Sequence, residues 1–169
     1  HAQVLHPEDI ALFGLYNIVP SVQPTHATSD MYWAEERLGK ERMAGAYAYK
    51  SLLDQNGWIP CGSDFPVEDI NPLYGFYAAV ARKDFEGYPE GGFLPENALS
   101  REEALRAMTI WAAKAAFEED LKGSIESGKL ADFVVTGKDI MSVPEEELFG
   151  VKVEETYSGG ERVYNRADR

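Results

Sequence analysis

The stretch Trp58-Ile59-Pro60-Cys61-Gly62-Ser63-Asp64-Phe65-Pro66 decides how the chain is interpreted, because a short apolar strand ends there in polar residues. Trp58 to Cys61 predicts the strand, and Phe65-Pro66 prevents simple continuation into a helix. A carboxylate held at a strand end can bind a divalent cation and can take a proton from water. Asp64 is therefore a candidate metal ligand and general base. From the residues alone, a second interpretation remains open, in which Asp64 only caps a turn.

Strand and helix signals alternate around this stretch. An apolar run at residues 16–24 predicts a strand, and residues 41–55 predict a helix with apolar side chains at turn spacing. Residues 71–82 begin with an Asn-Pro pair typical of a capped helix start, and residues 100–103 form a capping box. Alternation of this kind predicts an α/β fold with parallel strands, whose functional residues lie at the strand ends.

The pattern changes after residue 120. Residues 131–135 are a β-type run, and residues 151–157 alternate apolar and polar side chains before a Ser-Gly-Gly turn leads into residues 161–164. This spacing predicts a hairpin within a small antiparallel β unit. We therefore expect two parts, residues 1–120 and residues 121–169.

Composition excludes several classes of function. The chain has 169 residues and a formal net charge of −13, from 16 basic and 29 acidic residues. This charge argues against binding to nucleic acid or to an anionic membrane surface, both of which need clustered Lys and Arg. No apolar run approaches the roughly 20 residues that cross a bilayer, and no basic region of a signal peptide opens the chain. We therefore expect a cytoplasmic protein whose partner is a small-molecule substrate.

Histidine and cysteine supply the remaining candidates. His26 lies just beyond the end of the predicted 16–24 strand, where it could be a ligand, a substrate contact or an ordinary loop residue. His1 has no upstream context within the chain. Cys61 lies inside an apolar strand, which favours a buried structural thiol over a nucleophile.

Four segments of the chain resemble the C-terminal part of amidohydrolase-superfamily enzymes, in the branch that contains N-substituted formamide deformylase. These segments are His1-Ala2-Gln3, residues 21–26 (Ser-Val-Gln-Pro-Thr-His), residues 62–67 (Gly-Ser-Asp-Phe-Pro-Val) with Asn71-Pro72-Leu73, and residues 123–135 (Gly-Ser-Ile-Glu-Ser-Gly-Lys-Leu-Ala-Asp-Phe-Val-Val). The last two segments together are quite specific, and the similarity extends from residue 1 to about residue 165.

This resemblance implies a fold and a set of roles. Family members have a (β/α)8 barrel and a small β-sandwich, so we expect the last strands and helices of the barrel followed by part of the sandwich. By the resemblance, His1 corresponds to a metal-ligating histidine at the end of barrel strand 6. Asp64 corresponds to the strand 8 aspartate, which binds metal and acts as general base. His26, at the end of strand 7, is expected to contact substrate.

The resemblance also implies that part of the site lies outside this chain. The family's His-x-His pair of strand 1, its strand 4 lysine or equivalent and its strand 5 histidine are not present. A barrel needs about 250 residues, so we expect a C-terminal fragment that is inactive alone. The expected cofactor is a divalent metal, zinc, in the full-length protein; two ligands, His1 and Asp64, are too few for tight zinc binding by the fragment.

Two other interpretations stay open. The chain could be a non-catalytic domain with a vestigial site that self-associates through strand edges left by the missing barrel. It could also be a doubly wound α/β protein with His26 and Asp64 at a switch point. The expected function remains hydrolysis of an amide-type C–N bond by the parent protein.

Overall fold

The computed structural model describes residues 1–168, which form short helices followed by a small sheet. The α-helices are α1 (Ile10–Leu15), α2 (Pro24–Asp30), α3 (Ala34–Leu38), α4 (Lys40–Met43), α5 (Tyr49–Asn56), α6 (Pro72–Ala81), α7 (Arg101–Met108), α8 (Ile110–Ala115) and α9 (Glu145–Leu148). The strands are β1 (Phe133–Thr136), β2 (Val153–Ser158) and β3 (Glu161–Asn165). Short 3-10 turns occupy Pro7–Asp9, Pro95–Asn97 and Arg166–Asp168.

The two predicted parallel strands are reduced to one bridge, between Val22 and Cys61. The N–H of Val22 donates to the carbonyl of Pro60 (3.1 Å), and the N–H of Gly62 donates to the carbonyl of Val22 (3.0 Å). The first segment ends abruptly because Pro24 has no N–H to extend the ladder and begins α2 instead. The bridge nevertheless brings the two predicted strand ends side by side.

The helix predicted at residues 41–55 is broken into α4 and α5. Between them the chain pairs with the N-terminal segment: Leu5 N–H donates to the carbonyl of Gly45 (2.9 Å), and Tyr47 N–H donates to the carbonyl of Gln3 (2.8 Å). A helix through these residues would use the same backbone groups for its own bonds. The long-range pairing therefore replaces the local helix.

Two predicted helix starts are confirmed in detail. The Asn71 side chain accepts a hydrogen bond from Leu73 N–H (3.1 Å) at the start of α6. Before α7, Ser100 Oγ accepts from Glu103 N–H (3.2 Å) and Ser100 N–H donates to Glu103 Oε2 (2.8 Å), which completes the capping box. These bonds satisfy backbone donors that the first helical turn leaves free.

The predicted antiparallel unit is also present. The sheet has the order β1-β2-β3, with Phe133 opposite Tyr157 and their rings stacked at 4.5 Å. Gly159 and Gly160 form the turn between β2 and β3, and both adopt positive φ, which glycine permits without strain. The chain is thus an α/β protein with a small antiparallel sheet, whereas the boundary between residues 120 and 121 remains a prediction.

The Val22–Cys61 bridge is part of the hydrophobic core, in which Val22 is buried and against which Cys61 packs. Val22, Ile59 and Leu52 are fully buried there. Arg82 is also fully buried; its guanidinium lies 5.0 Å from the centre of the Tyr49 ring, and its Nε donates to a backbone carbonyl. The bridge is therefore supported by tightly packed side chains, which hold the strand ends in place.

Among residues 1–168, no helix has the length and apolar character needed to cross a membrane.

Candidate metal centre

Three polar side chains meet where the paired segments end. His1 Nε2 lies 3.4 Å from Asp64 Oδ2, and His26 Nε2 lies 3.5 Å from the same oxygen. One ligand atom from each of the three residues falls within 4.8 Å of the others. The structure therefore brings all three predicted site residues together, although 25 and 38 positions separate them along the chain.

These distances suit a shared cation. Two ligand atoms that each lie about 2.0–2.1 Å from a tetrahedral Zn²⁺ are about 3.3 Å apart. Both histidine–carboxylate distances at Asp64, 3.4 and 3.5 Å, are close to that value. Two imidazoles and a carboxylate are also donor types that zinc accepts. The donor set thus fits a divalent metal in its chemistry and in the two distances to Asp64.

His26 is held in place by the start of α2. It is the third residue of that helix and only 6% exposed, and its N–H donates to the carbonyl of Gln23 (3.1 Å). Both of its ring nitrogens are buried, and neither makes a hydrogen bond within residues 1–168. A neutral imidazole always carries one N–H donor and one acceptor, which are costly to bury without partners. The ring nitrogens of His26 are therefore available to bond to a metal or to a substrate group bound at this place.

Asp64 is directed by the turn that follows the strand end. Its backbone lies in the left-handed region, with φ of +59°, where Asp and Asn are tolerated better than most residues. The turn is closed by Val67 N–H donating to the carbonyl of Asp64 (2.8 Å) and by Phe65 N–H donating to Ser63 Oγ (3.2 Å). The carboxylate remains partly exposed and so can reach both a cation and solvent.

His1 is the most accessible member of the cluster, with half of its side chain exposed. Its ring meets that of His26 edge-on, with centres 5.4 Å apart and planes at 75°. Its Nδ1 lies 2.6 Å from Gln23 Oε1. One ring nitrogen is thus bonded to Gln23 and the other faces Asp64.

Sequence reasoning assigned no role to two further residues at the site. Glu68 Oε1 lies 4.0 Å from His26 Nε2 and accepts a hydrogen bond from Ser29 Oγ (2.7 Å), and Gln23 contacts His1. Gln23 lies within the 21–26 segment of the resemblance, and Glu68 follows directly after the 62–67 segment, so both lie near strand ends. Position near a strand end was the available signal, but contact partners 22 and 42 positions away could not be deduced from it.

Cys61 is not part of the cluster of His1, His26 and Asp64. Burial raises the pKa of its thiol to about 12, so the thiolate is scarce near neutral pH. Its backbone instead joins the strand end to α7, because Cys61 N–H donates to the carbonyl of Ala107 (2.9 Å). The geometry agrees with a structural role for this residue.

Comparison with known proteins identifies the family. Residues 1–164 match the model of the Amidohydrolase family, which is nearly the whole chain. The chain belongs to the amidohydrolase family. This result confirms the resemblance inferred from the sequence segments at residues 1–3, 21–26, 62–67 with 71–73, and 123–135.

Individual relatives agree with this membership. This amidohydrolase chain is 39% identical to Protein LONG AFTER FAR-RED 3 of Arabidopsis thaliana over 165 residues, which cover 97% of the chain and 28% of that protein. It is 33% identical to N-substituted formamide deformylase of Arthrobacter pascens over 120 residues, which cover 71% of the chain and 22% of that enzyme. The chain therefore spans less than a third of the length of these relatives.

A solved structure agrees as well. The amidohydrolase chain superposes on an uncharacterized metal-dependent hydrolase from Pyrococcus horikoshii OT3 with a TM-score of 0.75 and 27% identity. The match covers 86% of the chain and 29% of that protein. Membership in a hydrolase family with metal-dependent members is consistent with the fit of the three-residue cluster to a cation.

Proposed function

We propose that the protein carrying this chain is a metal-dependent hydrolase that cleaves an amide-type C–N bond of a small molecule. The observation that carries the proposal is the cluster of His1, His26 and Asp64, whose spacing suits one divalent cation. Family membership and the likeness to a metal-dependent hydrolase support the same reaction class. The buried, unpartnered nitrogens of His26 add a reason to expect a further group at the site.

In this proposal His1 and Asp64 would hold the cation, and we propose zinc as that cation. When bound, the cation would polarise the substrate carbonyl and promote attack by water. The Asp64 carboxylate takes one proton from the attacking water and passes it to the departing nitrogen as the C–N bond breaks. The products are a carboxylic acid and an amine, so the atoms of one water molecule are fully accounted for.

His26 keeps its predicted role as a substrate contact. Its buried ring holds a fixed orientation beside Asp64, and a free N–H or lone pair on it can bond to a polar substrate group. The 3.5 Å spacing from Asp64 Oδ2 also permits His26 to act as a third metal donor. Measurements of metal content and of the Michaelis constant separate these two roles.

The test of the reaction is Asp64→Asn in the complete protein. Asparagine has nearly the same shape and tolerates the positive φ of +59°, so the change removes charge and basicity with little backbone strain. We expect kcat against an amide panel to fall by roughly 10²- to 10⁴-fold. Asp69→Asn is the matched control, because Asp69 is exposed and asparagine keeps the oxygen that accepts from Asn71 N–H.

Turnover by Asp64→Asn close to that of the parent would rule out the proposed base. His26→Gln is measured in the same assay, together with bound zinc. A raised Michaelis constant with unchanged zinc content supports substrate contact. Loss of zinc would assign His26 as a third ligand instead.

We assign residues 1–120 to the end of a (β/α)8 barrel and residues 121–169, of which residue 169 lies outside the described residues, to part of a small β-sandwich. The parallel Val22–Cys61 bridge and the separate antiparallel sheet support this assignment. Because the chain spans less than a third of its relatives, the remaining ligands would lie in the rest of the protein, and the isolated chain would be inactive.

A non-catalytic, self-associating domain is the alternative. The sheet leaves β1 and β3 as edges, and Val134 and Val163 on them are more than half exposed. Exposed edges of this kind can pair with a second copy of the chain. A complete protein that forms homo-oligomers, binds no zinc and is inert toward amides and esters would favour this alternative.

A further inference from the structure

The orientation of the His1 ring is not fixed by the packing around it. Half of its side chain is exposed, so packing alone does not restrict rotation of the ring. An imidazole presents two different nitrogens, and a metal ligand must direct the unprotonated one toward the ion. Some neighbouring group must therefore select both the ring orientation and the tautomer.

We propose that Gln23 is the positioning residue that selects the His1 tautomer for metal binding, an inference that rests on the proposed metal centre. The Gln23 Oε1 to His1 Nδ1 distance is 2.6 Å. A carbonyl oxygen only accepts hydrogen bonds, so Nδ1 carries the hydrogen and donates it. The unprotonated Nε2 then faces Asp64 Oδ2 at 3.4 Å, and these two atoms would hold the cation.

Gln23 is itself rigid, which makes it suitable for this role. It is only 7% exposed and lies between the residue that forms the parallel bridge and the proline that begins α2. Its carbonyl accepts hydrogen bonds from Tyr49 Oη (3.0 Å) and from His26 N–H (3.1 Å). The Tyr49 ring packs in turn against the buried guanidinium of Arg82. A packed chain of contacts thus connects the protein interior to the exposed ring of His1.

The same residue also links the two histidines. The Gln23 backbone accepts from His26 and its side chain accepts from His1, so one residue sets the positions of both rings relative to Asp64. Outer residues that bind the second nitrogen of a ligating histidine commonly change metal affinity by 10- to 100-fold. Gln23 is therefore expected to act on metal affinity through His1 rather than by touching the ion.

The test compares Gln23→Leu and Gln23→Glu in the complete protein. Leucine has a similar volume without an acceptor, whereas glutamate retains an oxygen that can accept from Nδ1–H. We expect Gln23→Leu to weaken zinc affinity by roughly 10- to 100-fold in a chelator competition. Gln23→Glu should bind zinc at least as tightly as the parent, because the bond is preserved and a carboxylate partner raises the basicity of the ligating imidazole. Gln55→Leu, at an exposed position on α5, is the control and should bind zinc like the parent.

A second readout follows the tautomer directly. Long-range ¹H–¹⁵N spectra of the metal-free protein, with His1 assigned from a His1→Gln variant, should show the Nδ1–H form in the parent and in Gln23→Glu. Gln23→Leu should move His1 toward the Nε2–H form. If Gln23→Leu does not fold, Gln23→Asn replaces it, since the shorter side chain cannot reach the ring.

Parent-like zinc affinity and tautomer in Gln23→Leu would overturn the proposal. An equal loss of affinity in Gln23→Glu and Gln23→Leu would also overturn it, because it would show that Gln23 acts only through packing. A parent protein that binds no zinc would instead refute the proposed metal centre. In that case the tautomer spectra still decide whether Gln23 orients His1.

Discussion

Gly45→Ala tests whether the pairing between the N-terminal segment and the 45–47 segment holds His1 in place. A Cβ atom on Gly45 would lie 1.9 Å from the carbonyl oxygen of Leu5, whereas real Cβ contacts essentially never fall under 3.0 Å. The two backbones must therefore separate by at least 1.1 Å, the difference between those values. The φ of Gly45 is not in the left-handed region, so the clash alone is being tested.

The size of the effect follows from the bonds that this separation breaks. Leu5 N–H to the Gly45 carbonyl (2.9 Å) and Tyr47 N–H to the Gln3 carbonyl (2.8 Å) both cross the contact. Each is worth about 1 kcal/mol, so losing both costs about 2 kcal/mol, and this loss is part of the total overpacking cost of up to about 3 kcal/mol. We expect the local opening free energy of this segment to fall by about 2–3 kcal/mol.

Amide hydrogen exchange at Leu5 and Tyr47 in the complete protein measures that opening free energy directly. Protection of both amides should fall by roughly 30- to 150-fold. Zinc affinity should fall with it, because the displaced segment carries His1. Gly75→Ala is the control: nothing lies within 4 Å of its Cβ position on α6, and alanine favours a helix over glycine. Unchanged protection in Gly45→Ala would refute the steric reasoning and the link to His1.

Two further predictions concern titratable groups. Burial raises the pKa of Cys61 to about 12, so iodoacetamide at pH 8 should react with the Cys61 thiol at least roughly 100-fold more slowly than with the thiol of glutathione. Equal reaction rates for the two thiols would contradict the structural role. Burial alone would raise the pKa of Glu103, but hydrogen bonds from Lys50 and Ser100 outweigh it and lower that pKa. The ionised form is therefore favoured by folding, so its contribution to stability is present above the unfolded pKa, near 4.5, and is lost as pH falls through the folded value. The free energy of unfolding in urea is measured for Lys50→Met and for the parent from pH 7 to pH 3. The variant should be less stable than the parent at pH 7 and should lose less stability on acidification. A difference in free energy that stays the same at every pH would contradict this.

Local signals account for the features that sequence predicted in detail. The capping box at Ser100 and Glu103 and the Asn71 cap each involve groups two or three positions apart. The glycine turn at 159–160 needs positive φ at the turn itself. The chemistry of these features is contained within a few neighbouring residues, so their prediction did not require knowledge of the fold.

Long-range contacts explain the predictions that were wrong or incomplete. The helix at residues 41–55 is broken because residues 3–5 bond to backbone groups that the helix would have used. The strand predicted at residues 16–24 is reduced to a single bridge between Val22 and Cys61. It extends no further because Pro24, which has no N–H, ends the ladder and begins α2. Neither outcome can be read from a window of neighbouring residues, because the competing partner lies far along the chain.

Sequence by itself determined which residue types stand at the strand ends, and through the resemblance it determined the family. Asp64 can therefore be selected from the sequence alone, because the strand–turn pattern and the family segment that contain it each consist of neighbouring residues in the chain. Tertiary structure alone decided that His1 and His26 both lie within 3.5 Å of Asp64 Oδ2, and that Gln23 bonds to Nδ1 of His1. The physical reason is that such distances depend on how packed segments meet, and packing is a property of the whole fold.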